Sequence, residues 1–147
     1  MSVARNQKAY YQYNILKKLE AGIKLKGMEV KSLRDHRADI KHSFARVERG
    51  EVFLINTHIP LYGKSTDKYY DPRRRRKLLL KKHQIKKLTR KTEKKGVTLV
   101  PLEIYFKRGW AKVKLAVAEG KTKKDKRDKL KKRTINREID RELKKYI

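Results

Sequence analysis

The chain has no cysteine, three prolines and seven glycines, and its 16 acidic residues face 44 basic ones. Without cysteine there is no disulfide and no thiolate for a metal, which fits a reducing compartment. No apolar run approaches the roughly 18 residues of a spanning helix. The first residues, Met1-Ser2-Val3-Ala4-Arg5-Asn6-Gln7, lack the apolar core of a signal peptide. The expectation is a soluble, cytoplasmic protein. Hydrophobic residues make up 37% of the 147 positions, below the globular norm, so the core must be compact and part of the chain should lie outside it. The shortage of acids carries most weight. It leaves a formal charge of +28, and self-repulsion of that size calls for a polyanionic partner. An anionic membrane fits less well than nucleic acid, because three of the eight tyrosines and the one tryptophan fall in strand-like sequence rather than on one helical face.

What is present is concentrated in Asp71 to Lys95. Asp71-Pro72 is followed by Arg73-Arg74-Arg75-Arg76-Lys77, then Leu78-Leu79-Leu80, and from Arg73 to Lys95 there are 13 Lys or Arg and one acid, Glu93. Leu78, Ile85 and Leu88 lie at steps of seven and three, which predicts a helix over 77–95 with one apolar stripe. A second, short helix is expected near 27–36, where Met28, Val30 and Leu33 approach helical spacing. Elsewhere the period is two. Tyr10 to Leu25 reads as extended, with Gly22 marking a bulge or bend. Two hairpins are expected, 43–57 turning at Arg49-Gly50 and 97–117 turning at Arg108-Gly109. Five or six strands and two helices predict a mainly β fold, an OB-like β-barrel over residues 1–118 with flanking helices.

From Glu119 the composition changes. Residues 119–147 hold 13 Lys or Arg and 6 acids, with Ile135, Ile139, Leu143 and Ile147 recurring every four. This basic C-terminal tail is expected to be disordered alone and helical when docked.

Sites of enzymatic type are not visible. Gly120-Lys121-Thr122 lacks the earlier glycine of a phosphate loop, since that position is Leu115. His36, His42, His58 and His83 fall in four different elements without metal spacing. No nucleophile, base or carboxylate pair stands out. The expectation is therefore a non-enzyme with no metal and no cofactor. The basic helix suits phosphate contacts, which are salt-sensitive and position without reading sequence; a solvated charge face is the plainer alternative. The tyrosines of the 62–70 loop suit either base stacking or packing of the barrel mouth. Glu20, beside Gly22, is an acid on a protein that otherwise shows cations to its partner. An interface acceptor and a surface ion pair explain it equally well.

In order along the chain, several blocks resemble the SsrA-binding protein family (small protein B, SmpB). They are Glu20-Ala21-Gly22-Ile23, Gly27-x-Glu29-Val30-Lys31-Ser32-Leu33-Arg34, Asp71-Pro72-x-Arg74-x-Arg76-Lys77-Leu78-Leu79-Leu80, Leu99-Val100-Pro101-Leu102, Tyr105-Phe106-Lys107 and Asp125-Lys126-Arg127. The resemblance implies an OB-like barrel that binds the tRNA-like domain of transfer-messenger RNA (tmRNA) and carries it to stalled bacterial ribosomes for trans-translation. It implies RNA-binding roles for Asn6, Glu20, Gly22, Leu79 and Lys112. It also implies that a tail beginning with Gly120, Lys121, Lys124, Asp125, Lys126 and Arg127 acts at small-subunit rRNA in the decoding centre and mRNA channel. Lys124 stands where members usually carry Tyr or His. A monomer, associated with elongation factor Tu only through tmRNA, is the expected state. The rival readings are a ribosomal or ribosome-assembly protein held on rRNA, and an RNA-modifying enzyme with an OB-like domain.

Overall fold

The computed structural model describes residues 2–63 and 68–121. Its elements run β1 (Ser2–Arg5), α1 (Ala9–Gln12), β2 (Tyr13–Ile23), α2 (Gly27–Arg34), β3 (Phe44–Glu48), β4 (Glu51–Ile55), β5 (Arg76–Leu79), α3 (Lys82–Thr92), β6 (Val97–Lys107) and β7 (Trp110–Gly120). All pairings are antiparallel, in the order β1-β6-β3-β4-β5-β2-β7, and β7 returns to pair with β6. Six strands therefore close a ring. The long β6 is flanked along one edge by β7, and along the other by β3 at Leu99 and by β1 at Glu103 to Tyr105. Closure removes the open edges that a sheet of this size would otherwise expose. The expected OB-like barrel with flanking helices is the observed architecture.

Both predicted hairpins form, and their turns explain why. Arg49 and Gly50 have φ of 49° and 75°, Arg108 and Gly109 of 52° and 81°. Two successive left-handed residues are the requirement of a two-residue turn that matches strand twist, and glycine meets it at no steric cost. Inside the ring, alternate residues such as Val52, Leu54, Leu78, Ile104, Val113, Leu115 and Val117 are buried, joined by Leu33 of α2 and Leu88 of α3. A second cluster lies outside the ring. Here Ala9 of α1 covers Val100, Leu102, Ala116 and Ala118. At this end β6 and β7 are buried on both faces, which accounts for the unbroken apolar run Leu115 to Ala118.

The 77–95 helix is corrected. Arg76–Leu79 is strand β5, paired with Val52 to Leu54 of β4 and with Gly22 and Ile23 of β2, and the helix α3 is confined to Lys82–Thr92. Leu78 fills the barrel interior from a strand, while Ile85 and Leu88 turn inward from the helix. The extended segment before Leu25 begins later than expected, because α1 occupies Ala9–Gln12. Gly22 is regularly paired; the register shift in β2 falls between Ile15 and Lys17 instead. Seven strands form rather than five or six, the additional ones being β1 and β5. Pairing of β7 continues through Gly120, two residues past 118, and the Lys121 backbone N–H donates to the Gln12 carbonyl at 3.0 Å. The predicted helical tail, with Lys124, Asp125, Lys126 and Arg127, lies outside the described residues.

Candidate nucleic-acid interface

Strand register brings four of the five expected RNA-binding residues to one outer face. Lys112 of β7 pairs with Tyr105 on one side and with Gly22 on the other, and Gly22 pairs in turn with Leu79. The row Tyr105, Lys112, Gly22, Leu79 thus crosses four strands. One step along the same face lie Glu103, Lys114 and Glu20, opposite one another in register. One step the other way lie Lys107 and Trp110. A groove of about 590 Å³ opens here, lined by Glu20, Gly22, Leu79, Lys81, Gln84 and Lys112 among others. That is within the range of volumes, about 300–1,000 Å³, that hold small ligands.

Two apolar side chains are left exposed on this face, Leu79 at 51% and Trp110 at 73%. Leu79 lies outward because Leu78, its neighbour in β5, faces the interior, and Gly22 leaves room beside it. A Cβ at position 22 would stand 3.1 Å from the Leu79 Cβ, a tight contact that would press Leu79 aside by a few tenths of an ångström. Glycine here serves close approach of a neighbouring side chain, one of the ordinary reasons for glycine inside a strand.

Glu20 is held from one side. Its Oε2 accepts from the Tyr105 hydroxyl at 2.5 Å, and the Lys107 ammonium reaches to 3.4 Å. The Tyr105 bond, with Lys107 and Lys112 nearby, outweighs partial desolvation and keeps the carboxyl below its ordinary range. Desolvation and the same carboxylate push the Tyr105 hydroxyl up, so it stays a donor. Tyr105, Lys107, Lys114 and Trp110 were not singled out from sequence as interface residues. Their parity in the β6–β7 hairpin, shared with Lys112, was the available signal.

Asn6 does not join this face. It is 3% exposed, and its side chain donates to the Ile40 and Pro101 carbonyls while accepting from the Ala9 N–H. With every polar atom engaged internally, it braces α1 against β6. Gly120 and Lys121 lie at the far end of β7, eight and nine residues from Lys112. At strand rise, eight residues span about 26 Å. The Lys121 ammonium donates to the Tyr10 carbonyl at 3.1 Å, so α1 sets the direction in which the chain leaves the barrel.

Behind the groove, a buried network ties the Asp71–Arg76 segment to α2. Arg76 and Glu29 are both fully buried. The Arg76 Nε donates to Glu29 Oε2 at 2.7 Å, and its other nitrogens donate to the Thr57, Arg74 and Pro72 carbonyls and the Tyr70 hydroxyl. Arg74 forms a second ion pair with Glu29, and the Lys26 N–H donates to Glu29 at 2.7 Å, as in a capping box. Burial pushes Glu29 up, but these donors prevail and hold it below its ordinary value. Tyr70 donates to the Ile59 carbonyl at 2.7 Å, and burial beside Glu29 raises its hydroxyl to about 12. Of the loop tyrosines, Tyr70 packs internally and Tyr69 is 97% exposed. Among the described residues, no group of three or more His, Cys, Asp or Glu is placed to hold a metal ion, and no helix is long and apolar enough to cross a membrane.

Residues 3–145 match the family model described as "SmpB protein". The chain belongs to the SmpB family. Similar proteins include the SsrA-binding proteins of Syntrophobacter fumaroxidans, 52% identical over 95% of this chain and 86% of that protein, and of Ligilactobacillus salivarius, 50% identical over 99% and 94%. That of Caldicellulosiruptor bescii is 52% identical over 99% and 92%. A solved structure described as "tmRNA-SmpB: a journey to the center of the bacterial ribosome" matches with a TM-score of 0.69 and 50% identity, covering 85% of this chain and 92% of that one. For an SmpB chain, the gathering of Glu20, Gly22, Leu79 and Lys112 into one groove gives those four positions a common geometric setting that Asn6 and Gly120 do not share.

Proposed function

We propose that this chain binds the tRNA-like domain of tmRNA and delivers it to stalled ribosomes for trans-translation. The observation that carries this reading is the Glu20, Gly22, Leu79, Lys112 groove on the outer face of an SmpB-family barrel. The exposed Leu79 and Trp110 offer apolar contact to a base or ribose, Lys112 and Lys114 meet phosphates, and Glu20 accepts from a nucleotide donor. The solved relative's description, which joins SmpB to tmRNA and the bacterial ribosome, supports the same partners. In this reading the barrel, 1–118, holds tmRNA and the basic tail, 119–147, addresses small-subunit rRNA in the decoding centre and mRNA channel. Gly120, Lys121, Lys124, Asp125, Lys126 and Arg127 open that tail. Elongation factor Tu associates only through tmRNA, and the protein works as a cytoplasmic monomer without catalysis of its own. The test is RNA sequencing after affinity capture of the full chain from a bacterial host. One tRNA-like species should dominate the captured RNA, whereas bulk rRNA at ribosomal stoichiometry overturns the reading in favour of a ribosomal protein.

A further inference from the structure

The cations from Arg73 to Lys77 all have intramolecular partners, but a second group has no acid to meet. On α3, His83, Lys87 and Lys91 follow at four-residue steps and so lie along one face of the helix. Across from them stands Lys17 of β2, which pairs with Val117 and shares the inward parity of Leu19 and Ala21. Between helix and strand lies a pocket of about 150 Å³, lined by these four residues with Leu19, Gln84 and Leu88. It is separate from the groove over β2, β5 and β7, with which it shares Gln84 alone.

No acid lines this pocket, and none of its lysines pairs with a carboxylate among the described residues. Like charges at four-residue spacing destabilise a helix, and Lys17 adds one more from the strand. The floor is apolar, since Leu88 is buried, and this removes water that would screen the charges. Partial desolvation, then the charges of Lys17, Lys87 and Lys94, hold the Lys91 ammonium below its ordinary value. Repulsion that costs stability in the free chain is relieved by an anion.

The lining also selects which anion. An ammonium has three donors and no acceptor. The Gln84 amide oxygen is taken by the Lys81 N–H at 3.0 Å, so the NH₂ is the end that Gln84 can offer. The pocket has half of the roughly 300 Å³ at which ligand sites begin, so a whole nucleotide does not enter. A planar carboxylate presents its oxygens along one edge, whereas phosphate has three strong acceptor oxygens and can face a helix and a strand at once.

We propose that Lys17, Lys87 and Lys91, with His83 and Gln84 beside them, form a binding site for one phosphate group. The site goes beyond the tmRNA reading and does not depend on it. The group is either a free phosphate or a backbone phosphate of RNA laid across α3, and experiment separates the two sources.

The test compares the full native chain with a pocket variant, Lys17→Gln with Lys91→Gln, and with a control, Lys82→Gln with Lys86→Gln, which removes two charges from α3 outside the pocket. Thermal unfolding is followed by circular dichroism in chloride and in sodium phosphate at equal ionic strength. Binding of tRNA-like RNA is followed by filter assay across a salt series. In chloride the pocket variant should melt about 1–2 °C above native, because repulsion is removed. A structural role for these lysines predicts a lower Tm, and that result overturns the uncompensated charge on which the site rests. With phosphate tenfold above its Kd, native chain and control should gain about 3–6 °C and the pocket variant nothing. That outcome with an unaltered RNA salt slope assigns the pocket to free phosphate. A slope of log K against log salt that falls by about 0.7–0.9 per lost contact, in the pocket variant alone, assigns it to RNA backbone. A pocket variant that matches the control in both readouts overturns the site.

Discussion

Glu29→Gln tests whether the groove depends on a charge that lies behind it. The substitution preserves shape and one acceptor but removes the anion facing Arg76 and Arg74. Arg76 is fully buried, so its guanidinium would keep only neutral partners, three carbonyls and the Tyr70 hydroxyl. Removing one partner of a buried pair costs about 3–5 kcal/mol. The four remaining acceptors place this case near 3 kcal/mol. In a urea titration followed by far-UV circular dichroism, with a slope of about 1–3 kcal/mol per molar, the midpoint should fall by roughly 1–3 M. Arg74→Ala serves as the contrast. Its side chain is 26% exposed, so its loss should cost about 1 kcal/mol. The pH dependence follows from the direction of the shift. Glu29 is depressed in the fold, so its contribution is complete above the unfolded value near 4.5 and is lost as pH falls below it through the folded value. Native chain and Glu29→Gln should therefore converge in stability on acidification. A Glu29→Gln chain within 1 kcal/mol of native at neutral pH, or a gap that widens in acid, refutes the reasoning.

Gly22→Ala forces Leu79 to yield by a few tenths of an ångström; tRNA-like RNA should bind several-fold more weakly in a filter-binding assay while thermal unfolding changes little. Glu20→Lys should lower affinity for the same RNA with the circular dichroism spectrum intact, and unchanged affinity would remove Glu20 from the interface. Truncation after Gly120 should leave RNA binding nearly intact and stop peptide tagging in a reconstituted translation system, whereas lost binding would break the proposed division between barrel and tail. Raising salt from about 50 to 200 mM should weaken binding by about 10³-fold or more if at least six phosphates are engaged; a flat response contradicts an electrostatic interface.

The parts of the fold that sequence made legible are those whose information is local. Arg49-Gly50 and Arg108-Gly109 announce their turns, and Ala111, Val113, Leu115 and Val117 alternate with outward residues at the period of a strand. The misread segment, 77–79, fails for a physical reason. A short apolar run has the same pattern on a strand as at the start of a helix, and only its partners decide. Those partners, Gly22 and Ile23 on one side and Val52 to Leu54 on the other, lie more than twenty residues away in the chain. β1 is four residues long and exists because β6 offers it an edge. Asn6 was assigned to RNA by resemblance alone; its burial under α1 depends on Ile40 and Pro101, which no local pattern connects to it.

The arginine cluster shows most clearly where charge ceases to predict role. Arg73 to Lys77 looks like a magnet for polyanions, yet each of its five cations has an intramolecular partner. Arg73 donates to Asn56, Arg74 and Arg76 pair with Glu29, Arg75 pairs with Glu48 and lies over the Phe53 ring, and Lys77 pairs with Glu51. These contacts brace β5 against β4 and α2, and so determine where Leu79 emerges. Lys112 and Lys114 on the groove face, by contrast, form no ion pair with a described residue. The densest positive run in the chain is therefore largely a structural brace, and the cations left open at the groove, Lys81 and Lys112, belong to other parts of the chain. The acids follow the same division: Glu29, Glu48 and Glu51 neutralise that brace, while Glu20 and Glu103 stand on the open face beside Lys114.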